Sequence, residues 1–179
     1  MKNLQLTLVL VTFFTLSSCL NNETEINISD DDLIGTWNLT EFKSENGNII
    51  VTENTITETI EYGFEGFNFD ATITFEDDPR IVTGNGSLSI SYTAYFQGQI
   101  QTGQEIIDSN NTPNGIMEAN WSLDDGVLTF SLQGEEMHAE IIEFDDSTLR
   151  LKMVLDQNLN YSNIIGGSIS GNFYITLSK

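Results

Sequence analysis

Apart from carboxylates, the chain has few side chains able to do chemistry. Its 179 residues include 27 Asp and Glu, 6 Lys and Arg, one His and one Cys. The histidine, His138, follows Glu135 and Glu136. A zinc site needs three or four converging ligands, and a serine triad needs a histidine base. Both chemistries therefore depend on one ring. Strand alternation sets His138 opposite the Met137 and Ala139 face, towards solvent. No Gly-x-Ser-x-Gly elbow occurs, and Gly166-Gly167-Ser168-Ile169-Ser170-Gly171 is a flexible run with no helix after it. Paired acids stand at Asp77-Asp78, Asp124-Asp125 and Glu135-Glu136. Neighbours on a strand point to opposite faces, and most of these pairs fall in turns. Glycoside hydrolysis instead needs two carboxyls facing each other across about 5–9.5 Å. Asp108-Ser109-Asn110-Asn111-Thr112-Pro113 offers oxygens for calcium, but Pro113 stands where the loop needs glycine. The expectation is a protein with no catalytic residue, metal or cofactor, and so not an enzyme.

The elements that position these residues read as strands. Leu88, Ile90, Tyr92, Ala94 and Phe96 alternate with Ser87, Ser89, Ser91, Thr93 and Tyr95. That period of two marks a strand with one apolar face. The same pattern holds at Met117–Leu123, Leu128–Leu132, Met137–Ile141, Leu149–Leu155, Phe173–Leu177 and Ala71–Phe75, and less regularly at Ile56–Tyr62. Asn46-Gly47, Asn85-Gly86, Asp125-Gly126 and Gly134-Glu135 punctuate as turns. Helical periodicity is absent. About nine short antiparallel strands predict a sandwich or barrel, and closure removes unpaired edges. Gln97–Gly115 and Asp156–Gly171 read as long polar loops that could rim a cavity or simply vary on the surface. The aromatic group Tyr62, Phe64, Phe67, Phe69 and Phe75 fits a core better than a pocket lining.

A formal net charge of −21 excludes nucleic acid, whose phosphates need Lys and Arg. It also disfavours direct docking on anionic lipid. With one cysteine, no disulfide can form within the chain.

The N-terminus carries its own signal. Lys2 precedes a mostly apolar run, Leu4–Leu16, too short for the roughly 20 residues of a spanning helix. Leu16-Ser17-Ser18-Cys19 then resembles the bacterial lipobox. The resemblance implies cleavage before Cys19, a diacylglyceryl thioether on its sulfur and acylation of its freed amine. Two or more acyl chains anchor a protein stably. Residues 1–18 are thus read as a signal peptide, 19–32 as the lipidated cysteine and a flexible acidic tether, and 33–179 as the domain. Ser29-Asp30-Asp31-Asp32 fits either a surface-export signal or a cap in a solvated linker.

Leu33-Ile34-Gly35-Thr36-Trp37 opens the first strand, and Gly35-x-Trp37 resembles the lipocalin signature. In that family the glycine lets the chain turn in, the tryptophan closes the barrel floor, and a basic residue from the last strands crosses the indole. Arg150, or Lys152 beside it, is the candidate for that cation. Such a contact contributes roughly 0.5–2 kcal/mol. The Thr-Asp-Tyr signature of the family does not occur. The resemblance implies an all-β, antiparallel up-and-down barrel of about eight to nine strands. It is similar to lipocalin-like lipoproteins of Gram-negative bacteria.

The leading functional expectation is a lipid-anchored module of the cell envelope, at the outer membrane, binding a small apolar ligand. Leu88, Ile90, Tyr92, Phe96, Trp121, Phe130 and Met153 are the cavity candidates. The competing expectation is a packed barrel that meets an unidentified envelope protein. A filled interior separates the two.

Overall fold

The computed structural model describes residues 26–53, 56–111, 117–132, 135–161 and 165–179. The expected signal peptide, Cys19, Pro113 and Gly134 lie outside them. One four-residue helix, α1 (Asp30–Leu33), precedes nine strands: β1 (Gly35–Glu53), β2 (Ile56–Phe75), β3 (Ile81–Phe96), β4 (Gln99–Asp108), β5 (Met117–Asp124), β6 (Val127–Leu132), β7 (Glu135–Phe144), β8 (Thr148–Tyr161) and β9 (Ile165–Ser178). Every pairing is antiparallel, in the order β2-β1-β9-β8-β7-β6-β5-β3-β4, and β2 also pairs with β3. That last pairing closes the sheet into an up-and-down barrel, with β4 hanging outside the ring.

The barrel closes over only half its height. The first residues of β3, Ile81–Gly84, pair with β5. The remainder, Ser87–Phe96, pairs with β4. On the far side β7 meets β8 only as far as Met153, while β8 runs on beside β9 to Tyr161. Below this level the strands form a ring. Above it β4-β3-β2-β1-β9-β8 form a tall open sheet.

The core fills the ring. Trp37, Phe75, Val82, Leu88, Leu128, Leu149, Leu151 and Leu177 are essentially buried, because each occupies an inward position of a period-two strand. Bulges decide which residues stay inward higher up. Between Phe67 and Asp70 the β2–β3 register slips, with Asn68 at φ 51°. Odd-numbered residues of β2 face inward below this point, and even-numbered residues face inward above it. Tyr62, Phe64, Phe69 and Phe75 therefore share the inner side, while Phe67 faces out. Strand β1 slips twice, after Leu39 and after Glu45.

Several expected turns and loops are strand. Asn46-Gly47 is a bulge within β1, and Asn85-Gly86 lies inside β3. Gln97–Gly115 contains β4, and Asp156–Gly171 contains the ends of β8 and β9. These segments rise above the ring, where neither face is required to be apolar, so the alternation that reveals a strand is missing.

The lower end is sealed by the chain entering it. Ser29 precedes α1; its amide and hydroxyl donate to the Asp32 carboxylate at 2.8 and 2.7 Å. Leu33 is fully buried, and Ile26 and Ile28 pack against the core. Ile26 and Ile28, in the last part of the expected tether, thus dock on the barrel. Asp30 pairs with Arg80, whose guanidinium lies 5.2 Å from the Trp121 ring centroid.

Candidate functional site

The predicted site residues separate into two groups. Leu88, Trp121 and Phe130 are no more than 3% exposed and belong to the packed core. The Trp121 indole donates to the Glu76 carbonyl at 2.9 Å and meets Phe75 edge-on. Ile90, Phe96 and Met153 are part-exposed, and Tyr92 is 37% exposed. These four lie on the inner face of the open sheet or at its base.

There they join Phe42, which the sequence pattern did not select, Phe173, which it placed on a strand but not at a site, and Tyr62 and Phe64, from the aromatic group expected in the core. Phe42 and Phe64 meet at a tilt with 4.8 Å between centroids, and Phe64 meets Phe173, also tilted, at 5.5 Å. The three come from β1, β2 and β9, with Ser44 beside them directly across from Phe173. Ser44 is buried, and its hydroxyl oxygen accepts from the Phe64 amide at 2.9 Å.

Glycines let the neighbouring rings lie down on the sheet. Gly47 faces Tyr62, and Gly103 faces Tyr92, as cross-strand partners. A Cβ on Gly47 would stand 2.5–2.7 Å from three Tyr62 ring atoms, and one on Gly103 would stand 2.3 Å from the Tyr92 hydroxyl. The rings thus occupy space that any side chain on those glycines would need. The result is a wall of Phe42, Phe64, Phe173, Tyr62 and Tyr92 that has protein on one side and is open on the other. Tyr62 supplies its odd polar atom. The hydroxyl is out of contact with water and has no hydrogen-bond partner among the described residues. Burial pushes its pKa above the ordinary tyrosine value.

The outer side of the same strands is charged. Lys43 pairs with Glu41 and Glu45 at 3.3 and 3.2 Å, and Arg150 reaches Glu41 at 3.4 Å. Both cations lie over the Tyr174 ring, at 5.4 and 5.9 Å. Burial raises the Glu41 pKa, but the Thr176 hydroxyl and Lys43 outweigh it, and the net direction is down.

The floor motif is present with a different cation. Gly35 has φ +118°, and Trp37 is fully buried, its indole donating to the Leu33 carbonyl at 2.8 Å. The charge over the Trp37 ring is Lys179. Arg150 cannot take that place: Leu149 and Leu151 point inward, so Arg150 and Lys152 point out.

One hollow lies away from the wall and a second borders it at Tyr62. An open groove of about 1450 Å³ runs between Ile26–Asp30 and the outer side of β7 and β8, past His138, Glu140 and Lys152. A shallower one of about 490 Å³ sits at the Asn46 bulge. His138 is exposed and shares a hydrogen bond with the Thr129 hydroxyl at 3.0 Å. Among the described residues no three His, Cys, Asp or Glu side chains converge as a metal site would need.

A family model described as a lipocalin-like domain matches residues 33–151. No curated protein matches the chain. Among solved structures the chain is similar to bovine odorant-binding protein in complex with its natural ligand, at 11% identity over 87% of this chain and 76% of that one, with a TM-score of 0.29. The bovine protein in complex with undecanal gives the same identity and coverages, with a TM-score of 0.28. An S-type phycobiliprotein lyase from Guillardia theta is similar at 8% identity over 83% of this chain and 89% of that one, with a TM-score of 0.26.

Proposed function

The chain belongs to the lipocalin-like domain family, and on that footing we propose that it is a non-catalytic binding module. It holds a small apolar ligand against its aromatic wall and is anchored to an envelope membrane by lipid on Cys19. The observation that carries this reading is the wall itself. Five aromatic rings from four strands gather on the inner face just above a solid floor, and Tyr92 is 37% exposed. Covering the exposed part of such a ring with a ligand is worth roughly 25 cal/mol per Å² of apolar surface removed from water.

The packed ring below limits where a ligand can go. Leu88, Trp121 and Phe130 already fill that space, so the ligand lies across the open sheet rather than deep in the barrel. The same filled interior favours the second reading, a packed module that meets another envelope protein. The anchor rests on the N-terminal lipobox, and an outer-membrane address follows from the lipoprotein reading.

Native mass spectrometry of residues 24–179, purified without denaturant and offered palmitate, hexadecanol and cholesterol, tests the binding. Uptake that is lost in Phe64→Ser, with thermal melting otherwise cooperative, supports the wall as the site. No uptake from any of the three moves the assignment to the interaction module. The anchor is tested separately by the mass of the mature chain: residues 1–18 absent, acyl mass on Cys19, and both changes abolished in Cys19→Ser.

A further inference from the structure

Strand β4 is the end of the sheet, so one of its edges has no strand beside it among the described residues. Unpaired edges invite pairing with another chain, and proteins usually guard them with proline, lysine, a bulge or shortness. Strand β4 has none of these four, and its only charged residues are Glu105 and Asp108. It is ten residues long, Gln99–Asp108, contains no proline or lysine, and pairs with β3 without a register shift. Its outward face carries Ile100 at 70% exposure and Ile106 at 75%, the two most exposed large apolar residues described.

The spacing of these residues is self-complementary. In an antiparallel pair of two β4 strands related by a two-fold axis at Gly103, Ile100 of one copy falls directly opposite Ile106 of the other, and the match occurs twice. Thr102 falls opposite Gln104, and Glu105 opposite Gln101. No carboxylate faces a carboxylate, although each chain carries a net charge of −21. Like charges directly opposite would destabilise the pair. The glycine at the axis leaves room on the inner face for both Tyr92 rings, each of which lies over its own Gly103.

We propose that β4 is a homodimer edge, through which two copies of this chain pair antiparallel about Gly103. The pairing joins the two open sheets into one, and sets both aromatic walls on the same side of it. It does not depend on any ligand at the wall.

Sedimentation velocity of the full chain in mild detergent, across a concentration series, tests the proposal together with Ile100→Lys/Ile106→Lys. The unaltered chain should show a monomer–dimer equilibrium. The double variant should weaken it by at least roughly tenfold, since up to four buried isoleucines are replaced by charges. Both side chains are exposed, so the variant should melt like the unaltered protein. A second measurement fixes the register and does not need the lysine variant to fold. Thr102→Cys and Gln104→Cys chains, mixed and treated with a short bis-maleimide, whose two alkenes each add one thiol, should give a cross-linked heterodimer beyond any product formed through Cys19. A chain that stays monomeric at every concentration overturns the proposal. So does a dimer indifferent to both lysines, or one lacking the cross-link.

Discussion

The Lys179 ammonium stands 4.2 Å from the centroid of the Trp37 ring and donates to the Asp32 carbonyl at 3.0 Å. One residue at the end of the chain thereby ties α1 to the first strand. The Lys179 amide also donates to the Ser147 carbonyl at 3.0 Å. An exposed cation over an indole contributes about 0.5–1 kcal/mol, and the added hydrogen bond brings the expected loss in Lys179→Ala to about 1 kcal/mol. Arg150→Ala should leave the Trp37 emission unchanged, because Arg150 lies on the other side of the sheet. Urea unfolding followed by tryptophan fluorescence reads both variants; an emission shift in Arg150→Ala alone would contradict this floor.

The turn after β7 should make the protein acid-sensitive. Asp145 accepts from the Ser147 amide at 2.8 Å, the Ser147 hydroxyl at 2.9 Å and the Thr148 amide at 2.8 Å. The backbone and side-chain bonds from Ser147 lead in holding its pKa below the ordinary carboxylate value. At Asp32 the Ser29 hydroxyl and then the Ser29 amide do the same. A carboxylate depressed in the folded state stabilises it above the unfolded pKa, and that contribution is lost as pH falls through the folded one. Melting temperature should therefore decline from about pH 4 downward. Asp145→Asn should show a shallower decline. An unchanged slope would mean that the turn bonds do not survive in solution.

Most of the ring was legible in the sequence, whereas of the open sheet chiefly Ser87–Phe96 and, less regularly, Ile56–Tyr62 were. Leu128, Leu149 and Leu177 face a single apolar core while their neighbours face out, so inward and outward positions differ in type and alternation exposes them. In β4 the residues Gln99-Ile100-Gln101-Thr102 alternate without a core to choose between faces, and the segment reads as a loop. A nine-strand count came out of both readings by different routes. The sequence pattern divides β2 at its bulge and misses β4. Phe42 was invisible as a site residue because two bulges in β1 change which residues face inward, and register is a long-range property. The cation over Trp37 was misassigned for a local reason: Lys179 follows the last strand, where alternation no longer constrains it.

Gly86 tests how tightly the bulge of β2 is held. It has φ +96°, and an added Cβ would meet the Asp70 carbonyl oxygen at 2.0 Å. That neighbour is backbone of the paired strand and cannot swing aside. Gly86→Ala should cost at least about 2 kcal/mol, combining left-handed strain with the clash. Gly126 is the control, with φ +74° and open space around it. Gly126→Ala should cost about 1 kcal/mol, from conformation alone. Chemical denaturation of the two variants side by side separates the terms, and equal losses would mean that the bulge shifts to admit the methyl group.

Tyr62 makes the sharpest prediction about the wall. Its hydroxyl is desolvated without a partner, a state that costs about 1–3 kcal/mol unless a bound molecule supplies the missing hydrogen bond. In the free protein, Tyr62→Phe should leave stability unchanged or raise it by about 1 kcal/mol. Its effect should also depend on pH. Because burial raises the Tyr62 pKa, the native phenol contributes stability that is complete below the ordinary value of about 10 and declines as pH rises towards the folded one. The phenylalanine variant should lack that alkaline decline. With a ligand the sign should reverse for molecules bearing an acceptor: Tyr62→Phe should weaken palmitate while leaving hexadecane unaffected. Calorimetric titration with both probes decides it. Equal affinities in the two proteins would mean that the ligand's polar end lies elsewhere and that the hydroxyl is only a tolerated cost of the ring lying over Gly47.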